Sequence, residues 1–148
     1  MLGCFNARSI CNKTVGVLEM IKDHDISICC ITETWLKNSD KAKFAEIHDA
    51  QYDLYNAPRR GRGGGVGFVF DPNRINPIRN DVKSHSSFEA VECIINSVQN
   101  PIRLCTIYRS TQSKGRYEET KMTKFLEEFE EYLDSLIQKT GNPVICGD

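Results

Sequence analysis

Asp25-Ile26-Ser27-Ile28-Cys29-Cys30-Ile31-Thr32-Glu33-Thr34-Trp35-Leu36 is the stretch on which the reading of this chain turns. Its run from Ile26 to Ile31 is short and apolar apart from Ser27, the pattern of a strand buried on both faces. The run stops on a carboxylate, Glu33. A carboxylate at the end of a buried strand is costly unless it is paired, hydrogen-bonded or bound to a metal. Val144-Ile145-Cys146-Gly147-Asp148 repeats the pattern and ends on a second acid. In open α/β sheets, ligands bind at the carboxyl ends of strands, so two such acids point to an active-site rim. The sequence stops as that rim is being assembled.

Outward from this strand, Leu2 to Phe5 reads as a short strand ending at Asn6. Asn12 or Thr14 is placed to cap a helix whose Val15, Leu18 and Ile21 share one face. Ser39 to Ile47 is weakly helical, and Tyr52 to Asn56 alternates like a strand. The Arg/Gly run from Pro58 to Gly65 is a turn or loop, followed by a strand from Val66 to Phe70 and turn chemistry at Asp71-Pro72-Asn73. Phe88 to Ile95 and Ile102 to Tyr108 form a hairpin joined by Gln99-Asn100-Pro101. Met122, Phe125, Leu126, Phe129, Leu133, Leu136 and Ile137 recur at helical spacing, and Gly141 and Pro143 stop that helix before the final strand. The order strand–helix–strand, several strands, long helix and strand predicts an α/β fold in one domain, residues 1–148. A last strand with no helix after it leaves one sheet face poorly covered, which suggests a missing C-terminal part.

A chain of 148 residues is long enough for a real core, and 40% apolar with 26% charged residues is a globular composition. The net charge of -1 argues against a broad basic surface, yet the local cluster Arg59, Arg60 and Arg62 can still meet phosphates. No apolar run approaches a membrane span and the start lacks a signal-peptide layout, so the expected compartment is nucleus or cytoplasm, without secretion. The seven cysteines are odd in number and lack C-x-x-C spacing. Those at 4, 29, 30, 93, 105 and 146 lie in strand-like apolar runs, where reduced cysteine acts as a small hydrophobe. His24, His48 and His85 lack ligand spacing and read as surface residues.

Each candidate has a functional reading and a plainer one. Glu33 suits Mg²⁺, a hard cation that takes oxygen ligands and few protein carboxylates, or else it caps a turn or pairs with a lysine. Asp148 follows Gly147, where glycine lets the backbone approach a ligand closely; it orients a water or is simply solvated. Asn6 binds a phosphate oxygen, orients an acid, or forms a turn. Tyr108 and Arg109 end a strand and contact phosphate, or lie on the rim in water. The glycine run fails every phosphate-loop spacing and is followed by a strand. It is a flexible hairpin or loop whose arginines are candidate contacts to a nucleic-acid backbone.

Taken in order, "FNARSI…NK", "DISICCITETWL", "GRGGGVGFVF", "SSFEAVECII", "IRLCTIYRS", "FLEEFEEYLDSL" and "NPVICGD" resemble the endonuclease/exonuclease/phosphatase superfamily. They look most like the endonuclease domain of LINE-type (non-LTR) retrotransposons, of which the chain covers the N-terminal part. The resemblance implies a four-layered α/β sandwich: two mainly antiparallel sheets packed face to face, helices outside, with C-terminal strands missing. It implies Mg²⁺- or Mn²⁺-dependent hydrolysis of a phosphodiester bond in DNA by a monomer. Glu33 then resembles the metal-binding glutamate, Asn6 a residue near metal and phosphate, Tyr108 the phosphate-contacting tyrosine, and Asp148 the aspartate of a "GDFN" motif.

The resemblance also has departures. The phenylalanine and asparagine expected after Asp148 are absent, as are a later "SDH"-type aspartate and histidine, and Arg8 stands where some relatives carry an acid. The expected consequence is impaired or absent hydrolysis by this chain. Two alternatives stay open: a non-catalytic remnant or binding fragment, and a phosphoinositide or sphingolipid phosphatase.

Overall fold

The computed structural model describes residues 1–80, 84–97, 100–110 and 117–148, with side chains throughout except at 80 and 117–119. The elements run β1 (Leu2–Asn6), α1 (Thr14–Asp23), β2 (Ile28–Thr32), α2 (Lys41–Asp49), β3 (Asp53–Ala57), β4 (Val66–Phe70), β5 (Ile78–Asn80), β6 (Glu89–Ile95), β7 (Ile102–Tyr108), α3 (Tyr117–Ile137) and β8 (Asn142–Gly147). They form two four-stranded sheets, ordered β1-β2-β4-β3 and β5-β6-β7-β8. Each sheet holds one parallel pair, β1 with β2 and β7 with β8, and two antiparallel pairs.

Alternation along the strands builds the layers. In β2, Cys29 and Ile31 face α1 and α2, meeting Leu18, Ile21 and Ile47. Ile28 and Cys30 face the other way, against Val91, Cys93 and Leu104 of the second sheet. In β7, Cys105 and Ile107 turn outward to Tyr132, Leu136 and Phe129 of α3. The result is helix, sheet, sheet, helix. That is the four-layered sandwich the resemblance implies, and β2, buried at every position, lies at its centre.

Several details depart from the sequence reading. β2 starts at Ile28, because Ile26 and Ser27 belong to the turn leaving α1. Neither Asn12 nor Thr14 caps α1: Lys13 takes the N-cap position without a side-chain bond, and Thr14 Oγ1 donates to Ile10 O at 3.2 Å. β5 was not expected. Three residues after Pro77 carry no alternating signal, and β5 exists because the edge of β6 pairs with it. The hairpin of β6 and β7 is present, while Gln99 of its proposed turn lies outside the described residues. Cys4 is exposed and Cys146 half-buried, whereas Cys29, Cys30, Cys93 and Cys105 are buried; all seven are free thiols. His24 and His48 are at the surface, but His85 is half-buried and stacks on Phe88 with centroids 4.2 Å apart. No described helix is long and apolar enough to cross a membrane.

Glu128 ties α3 to the segment before β6. Its carboxylate accepts Ser86 N–H (2.9 Å), Ser86 Oγ–H (2.6 Å), Ser87 N–H (2.9 Å) and Ser87 Oγ–H (2.7 Å). Burial acts against the charge, but these donors outweigh it and hold the carboxyl down at about 2, against an ordinary 4.5. A depressed acid stabilises the fold above its unfolded pKa and loses that contribution as pH falls through the folded one. Glu128→Gln is therefore expected to cost about 1–2 kcal/mol at neutral pH after allowance for solvent screening. In urea unfolding over a pH series, the gap from the unsubstituted protein should close between 4.5 and about 2. A gap independent of pH would contradict this account.

Candidate active site

The two parallel pairs place four strand ends on one rim. Asn6 lies opposite Thr32 in the β1–β2 register, so Asn6 and Glu33 leave their strands side by side. Asp148 leaves β8 beside Tyr108, donating its N–H to Ile107 O (3.1 Å) and accepting Arg109 N–H on its carbonyl (2.9 Å). Because the sheets stack, the ends meet across the gap between them. Asn6 Nδ2 donates to Glu33 Oε1 at 2.9 Å and to Asp148 Oδ2 at 2.7 Å, and Tyr108 O–H donates to Glu33 Oε1 at 2.9 Å. The N–H of Arg8 donates to Asn6 Oδ1 at 2.9 Å, which fixes the amide with its NH₂ toward the carboxylates. All four residues that the sequence marked one by one are joined in one network.

The charge at its centre is built in. Burial alone would raise Glu33, but bonds from Asn6, Tyr108 and Trp35 and the nearby charge of Arg8 outweigh it and hold the carboxyl below the usual range. Burial and the charge of Glu33 push Tyr108 the other way, so the phenol keeps its proton and keeps donating. Among the described residues, Glu33 Oε1 is engaged by two donors, whereas Oε2 receives only the Trp35 indole N–H, at 3.2 Å. Oε2 is thus the oxygen with accepting capacity left.

Backbone geometry aims these groups. Arg8, Glu33 and Trp35 have φ of 44°, 53° and 56°, left-handed positions rare for residues with a Cβ. They are held by bonds from both sides: Ser9 N–H to Glu33 O (2.8 Å), Thr34 N–H to Gly65 O (3.1 Å) and Trp35 N–H to Gly64 O (2.8 Å). Thr34, fully buried, donates Oγ1–H to Asn56 Oδ1 at 2.8 Å and pins the turn. A Cβ on Gly65, itself at φ 86°, would lie 2.5 Å from Thr34 Oγ1. The glycine run is therefore a clamp on the Glu33 turn as well as a loop. Gly147 makes a close backbone approach, to Ile107 of β7.

The arginines divide. Arg59 pairs with Glu89 and lies over the Tyr108 ring, 5.4 Å from its centroid, so it stands at the rim. Arg60 and Arg62 are exposed on the loop. Arg109 is turned away: it follows Tyr108 on the strand path, so its guanidinium falls on the opposite sheet face, 4.6 Å from the Phe125 centroid. Sequence reasoning missed Trp35 and Glu89 as site neighbours. Glu89 pairs with Tyr108 in the β6–β7 register and accepts Gly65 N–H at 2.5 Å; only that register reveals it. A groove of about 620 Å³, lined by Arg59, Arg60, His85, Glu89, Ser110 and Lys121 among others, runs beside the four-residue network without including it.

No family model and no curated protein matches the sequence. Solved structures do. An AP endonuclease from Archaeoglobus fulgidus superposes with a TM-score of 0.66 at 23% identity, over 99% of this chain and 56% of that one. The 3'-5' exonuclease NExo from Neisseria meningitidis gives 0.75 at 16%, again over 99% and 56%. The endonuclease domain of TRAS1, a telomere-specific non-LTR retrotransposon, gives 0.68 at 13%, over 99% and 58%. The chain has the endonuclease/exonuclease/phosphatase fold. It spans little more than half the length of those structures. Within the endonuclease/exonuclease/phosphatase fold the Asn6–Glu33–Tyr108–Asp148 network occupies the carboxyl ends of strands from both sheets, the position that strand-end chemistry predicts. Among the described residues no group of three or more His, Cys, Asp or Glu side chains is gathered for a metal. The oxygen donors here are two carboxylates bridged by an amide, a set that suits a hard cation completed by water and substrate phosphate better than zinc.

Proposed function

We propose that the network serves metal-assisted hydrolysis of a phosphodiester bond in DNA. The carrying observation is the Asn6 amide, which donates to Glu33 and Asp148 from two different sheets while Tyr108 donates to the same Glu33 oxygen. That arrangement keeps one carboxylate ionised, with accepting capacity left on Oε2, and holds a second carboxylate across from it. Glu33 would hold Mg²⁺ or Mn²⁺, which supplies charge neutralisation at phosphate and at the leaving oxygen. Asp148, exposed, orients an attacking water through its remaining oxygen. Asn6 and Tyr108 donate to the two carboxylates here, and on substrate binding an Asn6 N–H and the Tyr108 O–H would exchange those partners for phosphate oxygens. Arg59, Arg60 and Arg62 supply positive charge to the flanking backbone. Support for DNA as substrate is that the AP endonuclease, the exonuclease and the retrotransposon endonuclease share the fold. A retrotransposon-type endonuclease is favoured over a lipid phosphatase by the "ETWL" and "GRGGG" blocks around Glu33.

The chain spans 56–58% of the length of those solved structures, and the same reading makes it part of a domain of that size. Among the described residues β8 is an edge strand, with Ile145 on its outer face 41% exposed. The chain by itself is then a weak catalyst. Supercoiled plasmid incubated with protein and Mg²⁺ should be nicked slowly at most, and Glu33→Gln and Asp148→Asn should each remove what activity there is. Mn²⁺ titration followed by electron paramagnetic resonance should show at least tenfold weaker binding in Glu33→Gln. Unchanged Mn²⁺ affinity together with unchanged nicking would refute the hydrolase reading. Fast turnover would refute the weak-catalyst part.

A further inference from the structure

Trp35 is the chain's single tryptophan, and 42% of it is exposed beside the Glu33 carboxylate. Its placement is built. Its N–H is fixed on Gly64 O at 2.8 Å, its carbonyl accepts the Cys11 thiol at 3.8 Å, and its indole N–H donates to Glu33 Oε2 at 3.2 Å. Gly63 lies beside the ring, at a distance where an added Cβ would make ordinary contact with Cε2 at 3.6 Å. Neighbouring Thr34 and Leu36 are buried, so the turn anchors on both sides and presents the ring between them. A large flat ring held this firmly with so much area in water is a surface kept for a partner. Arg60 and Arg62, exposed on the loop that also holds Gly63, favour a partner that carries negative charge. It must also carry a flat face for the indole.

We propose that Trp35 is a stacking platform for one unstacked nucleobase next to the phosphate handled by Asn6, Tyr108 and Asp148. The inference rests on the hydrolase reading and deepens it by naming the substrate feature: a strand with an unpaired base, not a lipid phosphate. Every base has a π-face, so such a platform gives affinity and registration without reading sequence. Glu33 fixes the distance between base and reacting phosphate, because the same carboxylate holds the indole N–H and the Tyr108 hydroxyl.

With a single tryptophan, its fluorescence reports on this position alone. The assay titrates the protein, in EDTA, with a short oligothymidylate, with an abasic oligonucleotide of equal length and with phosphoinositide vesicles. Oligothymidylate should quench Trp35, and Trp35→Ala, followed by anisotropy of a labelled strand, should bind it roughly tenfold to a hundredfold more weakly. Trp35→Phe should keep most of the affinity, which separates stacking from a folding defect. The abasic strand should bind wild type and Trp35→Ala alike. Equal quenching by the abasic strand, equal affinity of Trp35→Ala and wild type, or quenching by vesicles alone would each overturn the proposal. Metal-dependent nicking that survives with equal Trp35→Ala affinity would sink the platform and leave hydrolysis standing. Base-dependent quenching with no Glu33-dependent nicking would do the reverse.

Discussion

Glu92→Ala is expected to cost about 3–5 kcal/mol of stability, as much as truncating a large core side chain. Glu92 is fully buried and Arg103 is 5% exposed, and the two bond at 2.7 Å. Lys139 Nζ reaches the other carboxylate oxygen at 3.0 Å, and the Arg103 guanidinium also donates to Thr140 O at 2.9 and 3.1 Å. Removing the acid leaves the Arg103 charge buried without a counterion, whereas Lys139, one-third exposed, can return to water. The cost thus comes from desolvation of what remains, not from the Coulomb attraction alone. Replacing both partners, Glu92→Met with Arg103→Leu, should therefore cost less than Glu92→Ala by itself. Urea unfolding of the singles and the double gives the coupling directly. A Glu92→Ala loss under about 1 kcal/mol would show that the pair is wet and the account wrong.

Gly147→Ala is expected to break the candidate site from its far end. A Cβ there would lie 1.9 Å from Ile107 O and 2.8 Å from its carbonyl carbon. Those atoms are backbone and cannot swing aside, so the end of β8 must leave β7. The bonds Asp148 N–H to Ile107 O and Arg109 N–H to Asp148 O would go with it, and Asp148 Oδ2 would be drawn off Asn6. Overpacking and two lost hydrogen bonds together cost about 2–4 kcal/mol. The site itself is read from the Asn6 side-chain NH₂ resonance, which should move in Gly147→Ala. Gly16→Ala is the control, since a Cβ in mid-helix α1 meets nothing within 4 Å; it should leave that resonance in place. An unmoved Asn6 signal with near-native stability would disprove the coupling.

Both predictions concern features at the limit of what a sequence reveals. Glu92 and Arg103 stand in strands whose alternation was legible, yet nothing in their own spacing says that they are buried. Burial comes from the cover over the outer face of the second sheet: α3, Lys139 and the Thr140 carbonyl arrive from well beyond both strands. Gly147 was legible as a close approach, but only the parallel β7–β8 register shows what it approaches. Arg109 was a reasonable phosphate contact until one step along β7 placed it over Phe125. β5 had no local signal because its cause is the neighbouring edge of β6.

The sequence by itself determined the order of strands and helices apart from β5, the double burial of β2 and the strand ends on which Asn6, Glu33, Tyr108 and Asp148 sit. These follow from local terms: hydrophobic periodicity, turn chemistry and the cost of an acid after an apolar run. Tertiary structure alone decided that the four ends meet, because the distances that matter join residues 27, 75 and 142 positions apart. Stacking one parallel pair on another brings those ends together, and no local preference specifies a contact across two sheets. It also decided that Trp35, an ordinary rim aromatic in one dimension, stands with its N–H on the oxygen of Glu33 that is otherwise free to accept.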